Sequence, residues 1–125
     1  MTLHDKSRIL LGVFFIAAGL MHFVAPSGYI GIMPRYLPAP ALLVALSGVA
    51  EIVGGVLVLV PSLQFWARWW LILLLIAIFP ANIEMLRIYL ARGASTLWLV
   101  ALWLRLPLQG VLAWWVWTAT RPPKG

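Results

Sequence analysis

The chain contains no cysteine, and only three of its 125 residues are acidic: Asp5, Glu51 and Glu84. Without cysteine there is no disulfide, no thiol relay and no thiolate metal site, so any redox role would have to borrow its electron carrier. Charged residues of both signs make up 10% of the chain, against about 25% in soluble domains. That scarcity excludes a soluble globular domain and leaves the lipid bilayer as the solvent.

Hydrophobic residues account for 64%, and the mean hydropathy is +1.02. This composition is that of an integral membrane protein. The net charge of +6 does not indicate nucleic acid, because the basic residues stand singly at segment ends (Lys6, Arg8, Arg35, Arg68, Arg92, Arg121, Lys124), as membrane-flanking charges do.

A hydrocarbon core of about 30 Å requires roughly 20 apolar residues per helix. Four such runs are present, at about 8–25, 39–60, 65–91 and 97–120, the third containing Pro80 and the fourth Pro107. The expected fold is therefore all-α: a single transmembrane domain over 1–125, an antiparallel four-helix bundle with both termini on the same side. The first run follows Lys6 and Arg8 like a secretory signal. No small-x-small cleavage site follows "GLMHFVAPSG", so a retained span is expected. The connections "PSGYIGIMPRYLPAP" (26–40), "PSLQ" (61–64) and "RGAST" (92–96) are rich in turn residues, and the first reads as a folded cap or re-entrant segment.

Lys6, Arg8, Arg68, Arg121 and Lys124 fall on the side of the termini, against Arg35, Arg92 and Arg87 on the other. The excess predicts cytoplasmic termini, with a bacterial inner membrane as the expected location. Trp66, Trp69, Trp70, Trp114, Trp115 and Trp117 would form one aromatic belt, and Tyr29, Tyr36, Tyr89 and Trp98 the other.

Polar residues inside the apolar runs are the candidates for function. At about 1.5 Å per residue, Glu51 lies roughly 18 Å into the second span and Arg105 about 12 Å into the fourth. His22, Asn82 and Gln109 fall between the midplane and the same outer face. Buried charge is costly in a membrane and faces the bundle interior, where it finds a partner. Glu51 and Arg105 are the expected pair. Gly48, Glu51 and Gly55 share one helix face, as do Gly12, Phe15, Gly19 and His22, and small residues let helices approach closely. Pro80 leaves the Ile76 carbonyl without its helical donor, and Asn82 is placed to mend or exploit the break.

Each candidate also has a purely structural explanation. Glu51 with Arg105 would hold two helices in register, His22 would bond a loop carbonyl, Asn82 would bridge helices, and Glu84 with Arg87 would form a local surface pair. Within the functional reading, His22, Glu51, Asn82, Arg105 and Gln109 are the ligand-binding set. No catalytic residue and no metal ligand stands out, because metal-ligand spacing, a nucleophile with its base, and a nucleotide loop are all missing.

"GLMHF" (19–23), the proline-rich loop with Tyr36, "SGVAEIVGG" (47–55) and "FPANIEM" (79–85) resemble the DoxX and DoxX-like membrane proteins. The resemblance covers the first three spans, matching at His22, Glu51, Pro80 and Asn82. It implies a four-helix membrane bundle linked to membrane redox complexes, as in a small subunit of archaeal thiosulfate:quinone oxidoreductase. More distantly, the chain is similar to NACHO-type proteins that assist receptor assembly.

Three functions follow as expectations. The first is a bundle, accessory to a redox complex, whose polar pocket receives an amphipathic molecule, with a quinone or a lipid as candidates. The second is an assembly factor that binds a membrane-protein partner or a second copy of itself. The third, an enzyme, is expected only as a subunit of a larger quinone-linked oxidoreductase.

Overall fold

The computed structural model of the protein describes residues 1–25 and 38–122. The proline-rich connection with Tyr29, Arg35 and Tyr36, and also Lys124, lie outside the described residues. The described chain is helical, with α1 (Leu3–Val24), α2 (Pro40–Leu59), a short 3-10 turn (Pro61–Leu63), α3 (Gln64–Ala91) and α4 (Thr96–Ala119). All four helices are long and apolar enough to cross a membrane.

The boundaries follow local capping chemistry. Helix α1 begins at Leu3, ahead of the apolar run expected from residue 8, because Thr2 and Asp5 form a reciprocal capping box. Thr2 Oγ1 accepts from Asp5 N at 3.1 Å, and Asp5 Oδ2 accepts from Thr2 N at 3.2 Å. Pro40 opens α2, where its missing N–H costs nothing. At the end of α3, Gly93 takes a left-handed conformation (φ 67°), Ala94 N donates to Tyr89 O and Gly93 N to Leu90 O. This is a complete Schellman stop. Ser95 Oγ then accepts from Trp98 N and starts α4. Pro80 and Pro107 both lie within continuous helices, as membrane helices tolerate when neighbours re-satisfy the backbone.

Helices α1 and α2 pack most extensively, and their seam is built on glycine. A Cβ on Gly19 would lie 2.6 Å from the Gly48 carbonyl oxygen, and one on Gly55 would lie 2.6 Å from the Gly12 carbonyl oxygen. Each glycine pair therefore brings two backbones into direct contact. The pairing of Gly12 with Gly55 and Gly19 with Gly48 has numbers rising along one helix as they fall along the other. The same order holds where α3 meets α4, at Arg68 with Thr120, Asn82 with Gln109, and Tyr89 with Trp98.

Contacts also join α3 to α4, α2 to α3 and α1 to α4, while among the described residues the backbones of diagonal helices stay apart. A ring of this kind is solid only where side chains fill its middle. Near the termini, Leu11, Phe15, Val58, Ala67, Leu71, Leu75, Val116 and Ala119 do so. That end is also tied by polar bonds to helix C-termini. Arg8 Nη1 donates to Val58 O (2.8 Å), and Gln64 Nε2 donates to Val58 O and Val60 O (both 2.8 Å). The Arg68 guanidinium lies 4.2 Å over the Trp117 ring and donates from Nε to Thr120 Oγ1. Cations on the last carbonyls of a helix complement its dipole. The outward surface is apolar, with Leu73, Ile76 and Trp114 more than half exposed.

The glycine seam generates a contrast within one residue type. Gly19→Ala forces a methyl against backbone that cannot rotate away, and is expected to cost about 1–3 kcal/mol. Gly110→Ala in α4 meets nothing within 4 Å, and is expected to be neutral or mildly stabilising. Thermal unfolding of both variants in detergent checks this, and equal melting temperatures would refute the seam.

Candidate functional site

Away from the solid end the ring opens into a cavity of about 650 Å³ lined by all four helices. His22, Glu51, Asn82, Arg105 and Gln109 all line it, so every residue of the expected ligand-binding set reaches one space. Their partners differ from expectation.

His22 and Glu51 are both buried and sit where the glycine seam brings α1 and α2 together. Gly19 lies one turn before His22 on α1, and Gly48 one turn before Glu51 on α2. His22 Nδ1 is 3.0 Å from the Ala18 carbonyl oxygen, which requires that nitrogen to carry its proton, and 3.5 Å from Glu51 Oε2. The expected pairing of Glu51 with Arg105 is therefore corrected: the carboxylate faces the imidazole. The cause is the seam, which holds the first turns beyond Gly19 and Gly48 side by side. His22 also bonds a carbonyl of its own helix, four residues back; the loop carbonyl expected as its partner lies outside the described residues. No hydrogen bond from another described side chain or backbone N–H reaches the Glu51 carboxylate, and Oε2 is a buried acceptor without a hydrogen-bond donor among the described residues.

The opposite wall carries a directed chain of donors. Arg105 Nη2 donates to Asn82 Oδ1 (3.3 Å), Asn82 Nδ2 to Gln109 Oε1 (2.9 Å), and Gln109 Nε2 to the Leu75 carbonyl oxygen (3.1 Å). Arg105 Nη1 also meets Met85 Sδ at 3.1 Å. Asn82 was placed to mend or exploit the break at Pro80, with a bridge between helices as the structural alternative. It bridges to α4, and Gln109 reaches the α3 backbone at Leu75, beside the carbonyl that Pro80 leaves without its donor. Gln109 accepts from Asn82 and donates to Leu75 O, so it joins the Arg105 side of this network to the α3 backbone.

Glu84 and Arg87 do form the expected i, i+3 pair, bonded twice through Arg87 Nε and Nη2. Glu84 is buried rather than on the surface, with the exposed Arg87 side chain lying over it. Sequence reasoning passed over Ser47, which lines the cavity one turn before Glu51 and donates to Val44 O at 2.9 Å. Its i, i+4 spacing from Glu51 was the available signal. Among the described residues no group of His, Asp and Glu is placed to hold a metal ion.

A family model for a domain of unknown function (DUF8561) matches residues 11–120. The chain belongs to the DUF8561 family. The match spans the seam, the cavity and the donor chain alike. No curated protein and no solved structure matches this DUF8561 member.

The corrected pairing can be measured by double-mutant cycles. Glu51→Gln combined with His22→Leu is expected to show a coupling energy of about 0.5–3 kcal/mol, while Glu51→Gln with Arg105→Leu is expected to add to within about 0.5 kcal/mol. Reversible unfolding in mixed micelles reads both, and a larger coupling to Arg105 would restore the original pair.

Proposed function

We propose that this DUF8561 member is a DoxX-like integral membrane protein, an antiparallel bundle with both termini in the cytoplasm, whose cavity binds an amphipathic small molecule. The observation that carries the reading is the composition of the cavity wall. Phe14, Leu43, Leu74 and Ile78 offer apolar surface, while Glu51 with His22 on one side and Arg105 with Gln109 on the other converge as polar groups. A large apolar pocket with a few convergent polar groups is the usual form of a small-molecule site.

Intramembrane charge supports the same reading, because it is retained where it serves a ligand or a proton path. The donors of Arg105 suit an oxygen-bearing head such as that of a quinone or a lipid, and the apolar wall suits its tail. Holding and presenting such a ligand is the role of an accessory subunit of a membrane redox complex, and the cavity suits that role. The excess of basic residues beside the termini supports their cytoplasmic side.

Native mass spectrometry of gently solubilised wild type and Glu51→Gln tests the proposal. The expected result is a discrete bound mass in the wild type that is lost in the variant while the variant remains folded. Bare protein in both, or the same heterogeneous lipids on both, would overturn it.

A further inference from the structure

The basic groups of the described spans differ in what they meet. Arg8 and Arg68 place their donors on helix ends, and Arg87 is ion-paired to Glu84. Arg105 meets only a thioether and a neutral amide, and among the described residues it makes no ion pair. A guanidinium has five N–H donors in a fixed fork suited to carboxylate or phosphate, and here two are engaged. At about 1.5 Å per residue from Thr96 it lies roughly 14 Å along α4, within the apolar span, where an unbalanced charge is costly. Across the cavity the shortage is reversed. Glu51 is a buried carboxylate whose close neighbour is one imidazole N–H already given to Ala18 O. The cavity thus has a cation without an anion on one wall and an acceptor short of donors on the other.

Resting on the pocket reading above, we propose that the occupant is a zwitterionic amphiphile, with an anionic phosphate on Arg105 and an N–H-bearing ammonium on Glu51. The two needs are opposite in sign and both face one cavity, so a single head carrying both charges satisfies them without leaving net charge in the membrane. A neutral head leaves Arg105 unbalanced, and a purely anionic one is repelled by Glu51. Asn82 and Gln109 fix the orientation of the guanidinium, because Asn82 accepts from Arg105 and donates to Gln109, which in turn donates to the Leu75 carbonyl oxygen of α3. The chains follow the apolar wall. Lining residues Leu46 of α2 and Ala77 and Pro80 of α3 are themselves exposed, so the cavity reaches the outer surface of the bundle, where acyl chains join the bilayer.

The test uses the full chain in a neutral maltoside with phosphatidylethanolamine, phosphatidylcholine, phosphatidylglycerol, or chain-free phosphoethanolamine. Native mass spectrometry reads retention, and tryptophan fluorescence reads the melting temperature. Phosphatidylethanolamine is expected to stay bound as a single copy and to raise the melting temperature. Phosphatidylcholine has no N–H and phosphatidylglycerol no cation, so both are expected to bind roughly tenfold or more weakly. Phosphoethanolamine is expected to leave the melting temperature unchanged. Arg105→Gln should lose retention of phosphatidylethanolamine, Arg105→Lys should recover part of it, and Glu51→Gln should erase the preference over phosphatidylcholine.

If Glu51→Gln fails to fold, the wild-type ranking of the lipids decides alone. Equal retention of phosphatidylcholine or phosphatidylglycerol would overturn the zwitterionic head, and a shift by phosphoethanolamine equal to that by the lipid would overturn the amphiphile. A discrete neutral amphiphile bound instead would overturn it while leaving the pocket reading intact. No discrete ligand in any preparation would overturn both.

Discussion

The contact of backbone on backbone along the α1–α2 seam is the constraint from which the rest of the site follows. Gly12 with Gly55 and Gly19 with Gly48 draw the two helices to a distance that no side chain permits. In a bilayer this close approach substitutes for the hydrophobic effect, which gives helices little reason to leave lipid for one another. It also sets what lies beyond it. Once Gly19 and Gly48 touch, the following turns of both helices have one arrangement, and His22 faces Glu51. The seam is thus both the strongest packing in the fold and the device that places a carboxylate inside the membrane.

The other hairpin is held differently. Helices α3 and α4 meet through a polar chain from Arg105 to the Leu75 carbonyl and, near their connection, through the edge-on rings of Tyr89 and Trp98. Such contacts keep the helices further apart than glycine pairs do. The two hairpins are locked at the end that carries the termini by Arg8, Gln64, Arg68 and an apolar core. With diagonal backbones apart, the remaining half of the ring is not filled. A tight seam, a looser polar seam and a locked end together produce a cavity with opposite electrostatic demands on its two walls.

Much of this was legible from the chain. The helices lie within a few residues of the apolar runs, because length and hydropathy decide what can cross a bilayer. The largest difference is at α1, where the Thr2 and Asp5 capping box extends the helix into polar sequence. The polar lining of the cavity was legible as depth, since rise per residue places His22, Glu51, Asn82, Arg105 and Gln109 in one layer, and all of them line the cavity. Their partners were not. Depth is a one-dimensional quantity, and it made Glu51 and Arg105 a natural pair. Which groups meet depends on rotation about each helix axis and on which helices are neighbours. Ser47 and the buried position of Glu84 were missed for the same reason.

The sequence by itself determined the solvent of this protein, the number and approximate limits of its helices, the exclusion of thiol chemistry, and the faces on which glycine and charge coincide. These depend on composition and on the 1.5 Å rise and 3.6-residue turn of any helix. Only the tertiary structure decided that Glu51 answers to His22, that Arg105 is left without an anion, and that Gln109 links two helices through Asn82. Those outcomes require helix axes to be set at particular distances and angles. Backbone contact at four glycines sets them for α1 and α2, and no local pattern encodes which glycine will meet which.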